Sequence, residues 1–242
     1  LRDQYDTFLV ANASSVARAI IYGTVESGNG IFTGPNDEVL VENERFNFAF
    51  NLAKRLQDAG LDANTGMWND AWYEGFQEGH FATELSGAWM LGHLQGWVAP
   101  DAAGLWGMSH LPNGIYGAWG GTFAVIPEQS DKAADAWNVI EYMISPQAQL
   151  YGFDNFAMFP ANQTTYENSL FDNGIDYLAG QSARQLMAEV ALNNQPILPG
   201  KYDMIAETLV IQTALFEVIE DGRDVSDALA DAAEQLQKRI VE

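Results

Sequence analysis

The chain has 242 residues, 33 of them Asp or Glu and 11 Lys or Arg, for a formal charge of −22. That balance repels phosphate backbones and anionic lipid, so it excludes nucleic acid and an anionic membrane surface as partners, and it suits a protein kept dispersed in salty surroundings. With 48% hydrophobic residues and no cysteine, the chain reads as a folded protein of one large domain or two modest ones, without disulfides, thiol nucleophiles or cysteine-bound metals.

Tyr5-Asp-Thr-Phe-Leu-Val10 reads as a short strand that runs into polar residues 11–15. Val16, Ala19, Ile20 and Gly23 then follow helical spacing. Gly28-Asn-Gly30 and Gly34-Pro-Asn-Asp37 are turn clusters, and Val39-Leu-Val41 is a brief strand. Phe46, Ala49, Phe50, Ala53 and Leu56 mark one apolar helix face, with Gly60 as its stop. Trp72, Phe76 and Glu78-Gly79 mark a further helix and its end. Residues 81–85 read as a buried strand, and Ser86 as the N-cap of a helix that includes Trp89.

Residues 117–121 form a glycine-rich junction before a strand at 122–126, which Pro127 ends. Ser130 is placed to cap a helix whose face is Ala133, Trp137, Ile140 and Ile144, and Ser145-Pro146 restarts the chain. Residues 153–165 are loop-like and aromatic, 182–192 helical, and 196–200 a proline-glycine break. Two closing helices span about 203–219 and 226–241, with Gly222 between them. Strands separated by helices, with helices dominating the second half, indicate an α/β protein. No stretch reaches the roughly 18 apolar residues of a membrane span. Leu1 is neither a start Met nor the beginning of a signal peptide, so a processed chain or a fragment is expected.

Catalytic and metal motifs are scarce. His80, His93 and His110 lie 13 and 17 residues apart, unlike metal ligands, and no nucleophile elbow or phosphate-binding glycine loop occurs. No catalytic residue, metal ligand or cofactor is nominated. The aromatics say more, because Trp68, Trp72, Trp89, Trp97, Trp106 and Trp119 fall within 52 residues. Core packing is the ordinary role for a Trp on a helical stripe, as at Trp72 and Trp137. Trp89 and Trp119 differ, since each sits beside glycines at an element boundary and could offer a ring face to a ligand. Flat apolar rings at such junctions suit sugar faces, whose hydroxyls take polar partners. Tyr202, just after Pro199-Gly200 at a helix start, is a further junction aromatic.

The order of these pieces resembles a known family. Trp72-Tyr-Glu-Gly-Phe76-Gln-Glu-Gly79, Ala82 and Ser86-Gly-Ala-Trp89 resemble the signature of family 1 extracellular solute-binding proteins. Trp119-Gly-Gly121 with the following strand, Ser130 to Pro146, Phe159-Pro160-Ala161 and the terminal helix continue the resemblance in order. It implies a periplasmic-binding fold of type II, with two α/β lobes closing on a ligand that is delivered to an ABC importer. Members are longer, so the resemblance implies that residues 1–126 and 178–242 form the C-terminal lobe. Residues 127–177 would then be a segment of an N-terminal lobe otherwise missing.

Carried over position by position, the resemblance implies ligand contacts at Trp89, Trp119, Gly120, Tyr202, Asn12 and Ser14, with Trp68 and Asp70 near the cleft mouth. Where the maltose-binding branch has aromatics, Glu207, Thr208 and Leu209 stand here, which points away from a maltose-like ligand. The expectation is a monomeric, non-catalytic carbohydrate receptor, periplasmic or extracellular and open to lipid anchoring, with ABC permease subunits as partners. Three alternatives stay open: a glycoside hydrolase using paired carboxylates, a receptor for a non-sugar solute such as a glycerol phosphate ester, and a purely structural domain.

Overall fold

The protein is described here by a computed structural model covering residues 2–241. In chain order its α-helices are α1 (Arg2–Tyr5), α2 (Ala13–Gly23), α3 (Glu44–Asp58), α4 (Asp70–Gln77), α5 (Trp89–His93), α6 (Ala133–Met143), α7 (Pro146–Phe156), α8 (Ala183–Asn193), α9 (Asp203–Ala206), α10 (Leu215–Glu220) and α11 (Val225–Val241). Two π-helical segments extend them, Leu94–Val98 after α5 and Glu207–Ala214 between α9 and α10. The chain divides into two compact units. The first comprises Leu1–Leu85, Leu111–Gly117 and Asn194–Glu242, and the second Ser86–His110 and Ala118–Asn193.

The first unit holds the larger core. The expected apolar face of α3 is real: Phe46, Ala49, Phe50 and Ala53 are fully buried. They meet Ala17 and Ile21 of α2, Val210 and Leu215 near α10, and Leu229 and Leu236 of α11 in one cluster. Asparagines start these helices, because a short side-chain carbonyl can accept from the exposed N–H groups of a first turn. Asn12, Asn43 and Asn69 do so for α2, α3 and α4. Gly60 and Gly222, both at positive φ, let the chain turn away after α3 and α10. Arg45 is half-buried beside this core with its guanidinium donating to the carbonyls of Ile21 (2.6 Å) and Ile31 (2.5 Å). Burial pulls its pKa down to about 10.

A second apolar nucleus of this unit surrounds Trp72, which is 0% exposed. The rings of Trp68 (5.0 Å), Phe76 (4.7 Å) and Tyr73 (5.5 Å) surround it, and Phe76 in turn meets Phe81 (5.3 Å). Gly75 makes room for that last ring, since a Cβ there would lie 2.2 Å from Phe81.

Sheet character is slight. Among the described residues, extended segments pair only as isolated bridges, Phe8 with Phe81 and Val10 with Asp62 in parallel, Thr33 with Val39 and Ile175 with Gln181 antiparallel. The expected first strand therefore survives as residues 8–10 between two parallel neighbours, while Tyr5, its first residue, is the last of α1. Residues 122–126 form no strand; Phe123 is 94% and Val125 79% exposed. A strand needs a partner for its backbone groups, and none lies beside this segment among the described residues.

The second unit packs a small aromatic core. Phe153 of α7 meets Phe159 (5.5 Å) and Phe171 (5.2 Å), with Tyr166 against both of those rings and Arg184 of α8 over Phe153 at 5.5 Å. The Tyr177 hydroxyl donates to Ala99 O (2.7 Å), and the Gln181 amide both accepts from and donates to the Met108 backbone. Ser145 caps α7, with Pro146 in its first turn, as the sequence predicts. Ser86 does not cap α5, which starts without any side-chain cap. Its hydroxyl is buried and unpaired instead. No residue of α6 is buried, and Trp137 is 52% exposed. The apolar stripe of α6 is present in the sequence, but no described part of the chain covers it.

Candidate functional site

In the second unit, α5 opens with Trp89, and the junction at 118–121 brings Trp119 beside it. The ring centroids are 5.4 Å apart at 68°, and the Trp89 Nε1–H donates to the Trp119 carbonyl at 2.9 Å. Glycines permit this approach. A Cβ on Gly87 would lie 2.6 Å from Trp89 Nε1 and 2.9 Å from Trp119 O. Gly120, at φ +85°, sits 3.4 Å from the same indole nitrogen by the same construction. The small neighbours thus serve first to seat one Trp against the other. Together, Trp89, Trp119 and Gly120 form an aromatic corner with both rings partly exposed.

The other sequence-nominated residues lie in the first unit. The Asn12 side chain accepts from Ser14 N (2.9 Å) as the cap of α2, so its carbonyl is engaged locally. Trp68 stands at positive φ just before α4, nearly half exposed, its ring on Trp72. Asp70 lies in the first turn of α4, where a carboxylate favours the helix N-terminus. The Tyr202 hydroxyl donates to Ile240 O (3.3 Å) and accepts from Lys201 Nζ (3.2 Å), with its ring packed on the core. The geometry therefore joins Asn12 with Ser14, seats Trp68 on Trp72 of the helix that Asp70 begins, and sets Tyr202 against α11.

Two polar features went unforeseen. Glu207, in the π-helical segment, accepts from Arg18 and from the Tyr22 hydroxyl (2.5 Å), tying α2 to the penultimate helix. Burial and the Glu207 carboxylate push the Tyr22 phenol well above its usual range. The resemblance singles out Glu207 as standing where the maltose-binding branch has an aromatic, but a pairing across 189 residues leaves no local trace in the sequence. The second feature is Glu84, at the end of the extended segment that begins with Phe81. One carboxylate oxygen is buried and unpaired, and desolvation pushes its pKa up to about 7. Among the described residues, no group of three or more His, Asp or Glu side chains is arranged to hold a metal ion.

Solved structures similar to this chain share a periplasmic-binding fold. One is an extracellular solute-binding protein of family 1, 23% identical, with a TM-score of 0.78 over 97% of this chain and 59% of its own. Another is the ABC-transporter-associated binding protein of B. animalis subsp. lactis Bl-04, in complex with β-1,6-galactobiose, at 21% identity and a TM-score of 0.71. It is covered over 60% of its length, by 96% of this chain. A third is the sugar-binding protein MalE of Xanthomonas citri, at 18% identity and 0.72, with 99% of this chain and 61% of that one matched. The chain thus spans about three fifths of the length of these structures. None of the curated proteins matches it.

The sequence profile of the bacterial extracellular solute-binding proteins matches residues 19–176, and the chain belongs to that family. The family and these neighbours are binding proteins, and the family's description is extracellular. No helix among the described residues is long and apolar enough to cross a membrane.

Proposed function

We propose that the chain is the greater part of a carbohydrate receptor, which captures an oligosaccharide outside the cytoplasm and passes it to the permease subunits of an ABC importer. The observation that carries this reading is the aromatic corner of Trp89 and Trp119, held by an indole–carbonyl hydrogen bond and admitted by two glycines. A pre-ordered apolar corner lowers the entropy lost when a rigid ring settles on it. Sugar-binding proteins among the structural neighbours support the same class of ligand. The charge of −22 supports a neutral ligand over a phosphorylated one, since phosphate sites favour arginine forks.

In this proposal Asn12, Ser14, Trp68, Asp70, Gly120 and Tyr202 complete the ligand contacts, and no residue acts as a catalyst. The protein works as a monomer, with or without a lipid anchor, and an α/β architecture is supported by the parallel bridges at Phe8 and Val10. In the proposed lobe division residues 127–177 belong to one lobe and 1–126 with 178–242 to the other, so its boundaries fall inside the compact unit of Ser86–His110 and Ala118–Asn193. The uncovered apolar face of α6 supports that division. Ligand would act by favouring a closed state through its differential affinity.

The test is a thermal-shift panel of mono- and oligosaccharides, β-1,6-galactobiose and maltose among them, with amino acids, polyamines and glycerol phosphates as controls. A ligand at a hundred times its Kd adds about 2.7 kcal/mol, which raises Tm by several degrees. The expected result is a rise confined to one sugar class and lost in Trp89→Ala, whose unliganded transition stays cooperative. A rise only with glycerol phosphates overturns the carbohydrate reading. Release of reducing sugar with time replaces the receptor by a hydrolase.

A further inference from the structure

The aromatic corner does not end at Trp89. Along α5 and the π-helical segment after it, Trp89, His93 and Trp97 stand at i, i+4 and i+8. The His93 ring lies 5.5 Å from Trp89 at 76°, and Trp97 lies 5.5 Å from His93 at 88°. With Trp119 5.4 Å from Trp89, four rings follow one another at nearly equal steps. In an unbroken α-helix, a row at this spacing drifts about 80° around the axis over eight residues. The wider turn of residues 94–98 takes back part of that drift and keeps Trp97 in line with His93.

Trp97 is 50% exposed, yet its indole Nε1–H donates to His93 Nδ1 at 3.0 Å. That bond makes Nδ1 the acceptor and puts the imidazole proton of the neutral ring on Nε2. A half-exposed Trp fixed in orientation has already lost much of the rotamer freedom that a mobile surface Trp would lose on binding. Equal steps and a fixed, half-exposed terminal ring are the features of a platform for a repeating, flat ligand.

We infer that Trp97 is a further carbohydrate subsite, engaged by a saccharide ring beyond the one at Trp89 and Trp119, so that the ligand is an oligosaccharide of at least three rings. The inference rests on the carbohydrate reading above and extends it along the helix. Trp97 is the contact that distinguishes long chains from short ones, and His93 is its positioning residue.

The experiment follows the indole Nε1–H resonances of the seven tryptophans in 15N-labelled full chain, assigned with Trp89→Phe, Trp97→Phe and Trp119→Phe. The probes are a length series of one to five rings in two linkages, glucose to maltopentaose and galactose to the β-1,6-galacto-oligosaccharides. The expected result is that Trp89 and Trp119 shift with short members, while Trp97 shifts only with three or more rings. Trp97→Ala then weakens the long ligands about tenfold and leaves the short ones unchanged, in keeping with an aromatic contact of about 1.4 kcal/mol. Trp97→Phe, which keeps an aromatic ring, retains part of the length preference. Shifts at Trp89 and Trp119 without any at Trp97, with Trp97→Ala binding every length as the parent does, overturn the subsite and leave the receptor reading standing. No shift with any member overturns both.

Discussion

Replacing Trp72 with alanine is expected to cost about 3–5 kcal/mol, the range for removing a large aromatic from a packed core. The side chain is fully buried, and three neighbouring rings lie within 5.5 Å of it. Removing it leaves Phe76 without one of its ring contacts, and through Phe76 it loosens Phe81, whose bridge to Phe8 is one of the few sheet contacts in the fold. Domains of this kind are stable by about 5–15 kcal/mol, so the loss is a large share of the total and lowers Tm by about 10 °C. The Trp72 indole N–H is itself buried without a partner. Trp72→Phe therefore costs much less than Trp72→Ala, because it keeps most of the ring and removes a donor whose desolvation is uncompensated. Guanidinium unfolding midpoints of the two variants decide this. A loss below about 1 kcal/mol in Trp72→Ala would overturn the view of this residue as the centre of its nucleus.

Glu84→Gln has the opposite sign and depends on pH. Burial holds the Glu84 carboxyl near 7 in the folded protein, against an unfolded value near 4.5. Between those two values the folded state binds more protons than the unfolded state, so stability falls as pH rises through this window. Below about pH 4.5 the group is neutral in both states and costs nothing. Above about pH 7 the whole penalty is present, about 3 kcal/mol for a shift of this size. Glutamine is uncharged throughout. The variant is therefore expected to match the parent near pH 4 and to exceed it at pH 8 by up to that amount. Asp62 and Asp203, both raised mainly by burial, leave a residual slope of the same sign in the variant. Melts at pH 4, 6 and 8 check this, and parallel curves for the two proteins would refute it.

Helices with a strong period were legible in the sequence. The face at Phe46, Ala49, Phe50 and Ala53 became α3, Ser145-Pro146 began α7, and the glycines at 60 and 222 sit at positive φ where helices end. These signals are local, since they depend on side-chain spacing, a cap or a missing Cβ within a few residues. Strands were legible only where a partner was nearby. Residues 8–10 found neighbours at Asp62 and Phe81, whereas 122–126, with an equally apolar sequence, found none. Ser86 looked like a cap and became a buried, unpaired hydroxyl. The site was legible as residue types beside glycines, but the closeness of Trp89 to Trp119, the row through His93 to Trp97 and the pairing of Arg18 and Tyr22 with Glu207 were not.

What the sequence by itself determined about this protein is its acidic, cysteine-free, aromatic-rich character, most of its helices and the family it belongs to, all carried by composition and short-range order. The tertiary structure alone decided which apolar faces are covered, as the contrast between buried Trp72 and exposed Trp137 shows. It also decided which glycines are needed for a close approach, and which carboxylate is stripped of water without a partner. Those outcomes depend on what lies across space from each side chain, and burial, desolvation and ring contact exist only once distant segments meet.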